Sequence, residues 1–429
     1  MSERWSGRAG FVLATVASAV GLGSIWKFPY EVGQNGGAAF VLFYIAGLIL
    51  AVIPLMLAEF AIGRRGGGDA ASSIARVAAA HGAHRGWMAA GLLGVASGVL
   101  VLSFYSVIGG WTLAYAIDPW LPYEALLAHP GRMSAYHALF LALTAAVVAR
   151  GIGGGIELAA KLLMPLLVLL MLGLAVYGAA HGDVPATLRF LFKPELAGFS
   201  ARGALEALGL GFFSIGVGFG LMITYAAYAG TDLDLRQVAL WSVGADTAIS
   251  LLAGFAVFPL VFASGLDPAS GPGLVFVTLP IAFARMPFGG LAAVAFFGLL
   301  AVAALASAIS MLELAVALLM RRYRWRRAPA AALVAGVCFV TGLATVFSFN
   351  QWSHWSPTPY ELVDHLTSNL LLPIGGLAIA LFAGWALPAS VLSEELRLSP
   401  RGGARLRWLL RWAAPALIAV TALAPAVLR

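Results

Sequence analysis

Polar residues are rare in this chain, and several stand where an apolar sequence has least use for them. The stretch Ala17-Ser-Ala-Val-Gly-Leu-Gly-Ser-Ile-Trp-Lys-Phe-Pro-Tyr30 places two glycines, two serines, a lysine and a proline inside the first apolar segment. Gly21 and Gly23 weaken a helix and Pro29 withholds a backbone donor. Peptide N–H and C=O groups there are freed for other partners. Such groups must be satisfied by something, and a bound solute or ion is the expected partner. A second glycine-broken stretch, Phe213-Ser-Ile-Gly-Val-Gly-Phe-Gly-Leu-Met-Ile-Thr-Tyr225, repeats the pattern later in the chain. Glu59 and Asp246 are carboxylates within apolar runs, and Asp246 has no basic neighbour in sequence. A lone charge at such a place costs about 2.5 kcal/mol or more in a bilayer, so Asp246 requires a partner.

The elements that must position these groups are membrane helices. With 61% hydrophobic and 10% charged residues among 429 and a mean hydropathy of +0.92, the chain reads as an all-α integral membrane protein. Segments of spanning length fall near 10–33, 38–63, 87–117, 134–150, 156–180, 204–230, 237–263, 288–320, 330–348, 360–388 and 406–427, eleven in all. Polar loops are expected at 64–86, 181–203 and 264–287, the last as a structured loop around Gly271-Pro-Gly. An N-terminus in the cytoplasm puts 19 of the 26 Lys and Arg inside, as the positive-inside rule favours, and an odd number of spans then leaves the C-terminus outside. The expected location is a bacterial inner membrane, multi-pass.

Two broken helices, each opening a group of five, suggest a five-plus-five inverted repeat within one transporter domain over 1–429: about 8–180, about 203–388, and an additional helix at 406–427. A substrate site is then expected at mid-membrane where the breaks meet. The single Cys338 excludes an intrachain disulfide, and no His/Asp/Glu metal set, Ser/Lys dyad or phosphate-binding glycine loop marks an enzyme. The net charge of +7 reads as topology and not as a nucleic-acid surface. The sequence does not define an oligomeric state.

With Ala19-Val-Gly-Leu-Gly-Ser-Ile-Trp-Lys-Phe-Pro-Tyr30, Asn35-Gly-Gly37, Ile53-Pro-Leu-Met-Leu-Ala-Glu59, Phe104-Tyr105, Trp111-Thr112, the Phe213–Tyr225 break and Ala303-Ala-Leu-Ala-Ser-Ala-Ile-Ser310 in order, the chain resembles the neurotransmitter:sodium symporters of LeuT-type fold, in their bacterial amino-acid-transporting branch. The resemblance implies a substrate site at Gly21, Leu22, Gly23, Val101, Tyr105, Phe213, Ser214, Gly216, Phe219 and Met311. There, amides and the Tyr105 hydroxyl meet an amino-acid carboxylate. Amine-transporting relatives have aspartate where this chain has Gly21, which favours a solute that brings its own carboxylate. Gly216 in place of serine is expected to enlarge the pocket for a bulky apolar or aromatic side chain.

The same resemblance implies one or two sodium ions. One would be held by the Ala19 carbonyl, Ser24, Ser214, Asp246 and the substrate carboxylate. The other would take the carbonyls of Ala17, Val20 and Ala303 with the Ser307 hydroxyl, Ala306 lacking the oxygen some members have. Asp246 stands where chloride-dependent relatives have asparagine, and Leu210 where they have a glutamine, implying chloride-independent transport. Lys27 and Asp364 would pair as an outer gate, with Tyr105 and Phe213 as an inner lid. Glu59 would support the breaks from behind. The usual cytoplasmic gate falls on Ser2 and Arg321 and is not recognisable. Trp111 is expected at the membrane interface, the Arg321 to Arg327 cluster as a topology signal, the lone histidines at the surface, and Glu313 in a structural role. Sodium-coupled amino-acid symport is the leading function; a proton-coupled amino-acid transporter and a nontransporting amino-acid sensor are the alternatives.

Overall fold

The computed structural model describes residues 4–197, 199–269 and 274–427, with side chains up to residue 422. Among these residues eight helices are long and apolar enough to cross a membrane: Ala38–Gly66, Arg85–Ile117, Pro130–Val148, Ile152–His181, Leu235–Ala263, Gly289–Tyr323, Arg327–Ser348 and Pro359–Ala386. A bent pair, Arg8–Ala19 and Gly23–Gln34, makes a ninth, with a 50° change of direction between its halves. The remaining two expected spans are helical but of different character. The sixth divides into Ala201–Ile215 and Leu221–Ala226. The last is a run from Pro400–Trp408 through Leu409–Ala413 to Ala414–Val427, with Arg401, Arg405, Arg407 and Arg411 in its first half.

Each break has a local cause. The first helix stops at Ala19, where Val20 turns extended (φ −79°, ψ 107°), and the chain resumes in a widened turn, Gly23–Lys27, that Pro29 follows within the next helix. In the sixth, Gly216 ends the first half at φ +71° and Gly220 opens the second at φ +73°, left-handed positions that cost a glycine little. Gly216 therefore shapes the backbone as well as the room beside it.

All three expected loops contain helices. Ala70–Ala80 lies within 64–86, capped by Asp69, whose carboxylate accepts the Ser72 N–H at 3.1 Å; Ala70, Ala71, Ile74, Val77 and Ala78 bury one face of it. Val184–Phe192 lies within 181–203, capped by Asp183. Leu274–Ala284 occupies much of the third loop, whereas Gly271-Pro-Gly lies outside the described residues. At the exposed start of the seventh helix, Asp234 caps the Arg236 amide at 3.0 Å, and the Arg236 guanidinium holds its carboxyl below the usual range.

Candidate functional site

The two breaks and the third and eighth helices enclose one internal cavity, lined by Ser18, Gly21, Leu22, Gly23, Val101, Tyr105, Phe213, Ser214, Gly216, Phe219, Leu221, Ser307 and Met311. All ten residues expected at the substrate site border it. Tyr105, on the third helix, accepts the Leu22 N–H at 3.3 Å, an amide that the break has released from the helix. A phenol can accept from this amide and still donate its own proton to an anion. Two further members were not expected. Leu221 adds apolar wall. The Ser18 hydroxyl is buried with no hydrogen-bond partner, a polar group on a mostly apolar wall that could serve as donor or acceptor to a polar solute group. The cavity is narrow, about 40 Å³, so an aromatic side chain would have to displace its walls rather than drop into open space.

Beside it, Asp246 on the seventh helix draws together groups from three other helices. Ser24 donates to it, Ser214 lies 3.1 Å from both carboxylate oxygens, the two serine oxygens stand 3.0 Å apart, and Tyr44 donates at 2.9 Å. Tyr44 is the member that sequence reasoning missed. Asp246, Ser24 and Tyr44 are all buried. No basic side chain pairs with Asp246 among the described residues, so its negative charge is met only by hydroxyl dipoles. This all-oxygen set with one net negative charge fits a hard monovalent cation. Ala19 is the buried last residue of the first half-helix, directly before the break.

Ser307 on the eighth helix points at the same break from the opposite side. Its hydroxyl donates to the carbonyls of Ser18 at 3.3 Å and Val20 at 3.2 Å. Ala303 is buried one turn earlier on that helix. Ala17 and Ala306 border a separate small cavity with Tyr225 and Ser310. The Ser18 carbonyl, not expected in this set, is thus within reach of Ser307.

Glu59, fully buried on the second helix, accepts the Gly218 N–H at 2.6 Å and the Met222 N–H at 3.2 Å. It ties up donors that the sixth-helix break exposes. Glu59→Gln, which can accept only through one oxygen, is expected to lower the thermal unfolding midpoint by several degrees, corresponding to about 1–3 kcal/mol for an orphaned buried donor. An unchanged midpoint in detergent would contradict this role.

Above the cavity lies a vestibule of about 460 Å³ bordered by Lys27, Glu31, Arg202, Glu206, Phe213, His365 and Asn369 among others. Phe213 lines both spaces. The expected Lys27–Asp364 ion pair is not formed. Lys27 Nζ instead sits 4.6 Å from the centre of the Phe213 ring, and Asp364 accepts the Ser368 hydroxyl at 3.1 Å. Lys27 lines the vestibule, Asp364 does not, and Phe213 borders both the vestibule and the central cavity.

The opposite end is plugged. Trp5 is buried, donates its indole N–H to the Tyr225 carbonyl at 2.9 Å and packs against Phe11, Tyr225 and Tyr228. Tyr228 in turn donates to Glu313 at 3.0 Å, and Glu313 pairs with Arg327. Arg327, expected with its cluster to mark topology, is thus buried in an ion pair. Arg321 donates to the Gly67 carbonyl at 2.9 Å; Ser2 lies outside the described residues. Two further expectations change. Trp111 is buried between Tyr123, Phe276 and Phe349 rather than at an interface. His137 is buried against Ser106, 2.9 Å away, rather than at the surface.

Comparison with known proteins places this geometry. The sequence profile of the sodium:neurotransmitter symporter family matches residues 2–123 and 121–374. A sodium-dependent transporter of Bacillus subtilis is 36% identical over 423 residues, covering 94% of this chain and 93% of its own. A sodium-dependent transporter of Methanocaldococcus jannaschii is 30% identical over 429 residues, covering 92% and 84%. Among solved structures, the crystal structure of MhsT in complex with L-phenylalanine is 41% identical with a TM-score of 0.90 over 98% of both chains.

Proposed function

This chain belongs to the sodium:neurotransmitter symporter family, and we propose that it takes up an apolar or aromatic amino acid by sodium-coupled symport without chloride. The observation that carries the reading is the convergence of Tyr105, the released Leu22 amide, Ser24, Ser214 and Asp246 on the two breaks. A carboxylate bound at the Leu22 amide and Tyr105 would lie beside the Ser24–Ser214–Asp246 set, so that ion and solute stabilise one another. A second cation beside Ser307 and the Val20 carbonyl would brace the first break. The two breaks belong to two inverted five-helix repeats in this reading, and the face carrying Trp5 is cytoplasmic.

Each sodium ion entering a cell negative inside contributes roughly 2.3 kcal/mol per 100 mV before its concentration gradient is counted. At 100 mV two would concentrate an amino acid about two-thousandfold. The aromatic substrate is supported by the apolar walls Val101, Phe213, Phe219 and Met311, and by the L-phenylalanine in the MhsT structure, a protein so similar over its whole length. Asp246 provides fixed negative charge beside the ion, which is the support for chloride independence.

The test is uptake of labelled phenylalanine, leucine and alanine into proteoliposomes under a sodium gradient, with choline replacing sodium and gluconate replacing chloride. Uptake of phenylalanine or leucine in sodium gluconate and none in choline is expected; equal uptake in choline would defeat the sodium claim. In the same assay Tyr105→Phe keeps the ring and removes both the acceptor for Leu22 and a donor to the carboxylate. It is expected to raise KM about tenfold, the worth of one or two hydrogen bonds including one to a charge. An unchanged KM would place the carboxylate elsewhere.

A further inference from the structure

Four arginines on the plugged face are neutralised by carboxylates. Arg64 pairs with Glu395, Arg65 with Glu394 and Glu395, Arg236 with Asp234, and Arg327 with Glu313. Others, such as Arg76, Arg321 and Arg397, donate to single backbone carbonyls, and two converge on one carbonyl. Where the tenth helix ends in the widened turn Phe382–Ala386 and Leu387 turns extended before Pro388, the carbonyls of Gly384 and Leu387 lose their helical partners. Arg407 Nε and Arg411 Nε, one turn apart on the last helical run, both donate to Gly384, at 3.2 and 2.7 Å, and Arg407 Nη2 donates to Leu387 at 3.2 Å. Neither guanidinium has a carboxylate within ion-pair distance among the described residues, and the terminal nitrogens of Arg411 donate to nothing there. The Arg411 guanidinium lies 4.9 Å from the centre of the Trp385 ring, and Trp412 meets that ring edge-on at 5.1 Å.

Two cationic forks are therefore held side by side, fixed by neutral carbonyls and by an indole face, with spare donors and no acid. Trp385, Trp408 and Trp412 are 48%, 58% and 55% exposed around them, the arrangement of aromatic residues at the headgroup level of a bilayer. Planar guanidinium pairs match the oxygens of a phosphate, and basic pockets between membrane helices hold lipid headgroups. We propose that this pocket binds the phosphodiester of an anionic phospholipid, in the leaflet on the plugged side, with Arg407 and Arg411 on the phosphate oxygens and Trp385 and Trp412 against the glycerol and upper acyl chain. The claim rests on the membrane orientation above only for which leaflet supplies the lipid.

Native mass spectrometry of the full chain in detergent, with added phosphatidylglycerol or phosphatidylcholine of identical acyl chains, tests it independently of transport. The wild-type protein should retain phosphatidylglycerol about tenfold better. Arg407→Gln/Arg411→Gln should lose that preference, and Arg401→Gln/Arg405→Gln, which removes the same charge from two exposed arginines, should keep it. Equal retention of both lipids by the wild type overturns the proposal. So does an equal loss in the Arg401/Arg405 variant, which would mean bulk charge alone, and so does displacement of the lipid by millimolar inorganic phosphate, which would mean a free-anion site. If the Arg407/Arg411 variant does not fold, Arg411→Lys keeps the charge and removes the fork; its preference should fall several-fold, and an undiminished one counts against the fork.

Discussion

In proteoliposomes, Asp246→Asn is expected to cut sodium-driven uptake in chloride-free medium about a hundredfold, and chloride is expected to restore part of it. Asp246 is fully buried and its charge is met only by Ser24, Ser214 and Tyr44. A sodium ion entering that set gains a full counter-charge. Asparagine keeps the shape and one oxygen but leaves the ion with no negative partner from the protein in a low-dielectric interior, only the solute carboxylate. Removing one member of a buried charge pair costs about 3–5 kcal/mol, and the lower end alone gives the hundredfold loss. A small anion that settles near Tyr44 would supply the missing charge, hence the chloride arm. Labelled uptake in sodium gluconate and in sodium chloride reads both effects. Wild-type rates for the variant in gluconate would remove Asp246 from the ion site; a variant dead in both media would keep the ion role and reject the exchange with chloride.

Gly21→Ala is expected to abolish substrate-induced thermal stabilisation and to lower the ligand-free unfolding midpoint by a few degrees. A Cβ at Gly21 would overlap the Ser307 hydroxyl and come within 3.0 Å of the Tyr105 hydroxyl. Neither can retreat cheaply, since Ser307 is engaged with the Ser18 and Val20 carbonyls and Tyr105 with the Leu22 amide. One methyl group thus presses on a candidate cation ligand and a candidate carboxylate ligand together. Overpacking of this kind costs about 1–3 kcal/mol, or roughly ten- to a hundredfold in affinity for both sodium and solute. Thermal-shift titrations with phenylalanine at several sodium concentrations measure it. Unaltered titration curves would show that the solute does not approach this glycine.

Much of this site was legible because its logic is written in residue types. Glycines and a proline inside an apolar run predict a broken helix wherever they occur, and the break then determines which amides and carbonyls come loose. Ser24, Ser214 and Asp246 were named together from a family resemblance, and they are found within hydrogen-bonding distance of one another. Tyr44 escaped, although Asp246 demanded a partner and Tyr44 is the one phenol in the second apolar segment. The difficulty is that a tyrosine among leucines and phenylalanines reads equally well as packing, and only the packing of the second helix against the seventh brings it to Asp246. Trp111 and His137 were misplaced for a related reason: an amphipathic ring suits an interface until its neighbours, here Phe276, Phe349 and Ser106, are known. The helix at Ala70–Ala80 hides in alanine and serine, whose pattern is weakly apolar, and its Asp69 cap is its clearest mark. Lys27 and Asp364 each take another partner, the Phe213 ring and the Ser368 hydroxyl, and charge complementarity in a sequence does not say which partner lies nearer.

The asymmetry of the two ends has a consequence for chemical labelling. On the vestibule side the Phe213 ring borders both the vestibule and the central cavity, whereas on the other side Trp5, Tyr225, Tyr228 and Glu313 are joined by hydrogen bonds and ring contacts. A cysteine introduced at Val101 should react with a membrane-impermeant thiol reagent applied from the vestibule face whenever that ring swings aside, and be protected from the far face. Cys338, the single native thiol, is fully buried near the Val99 carbonyl, so the wild-type chain provides a silent background. Sided thiol reactivity would then count the openings of one aromatic hinge, and the slowing of that reaction by sodium and solute would report how often the partition closes.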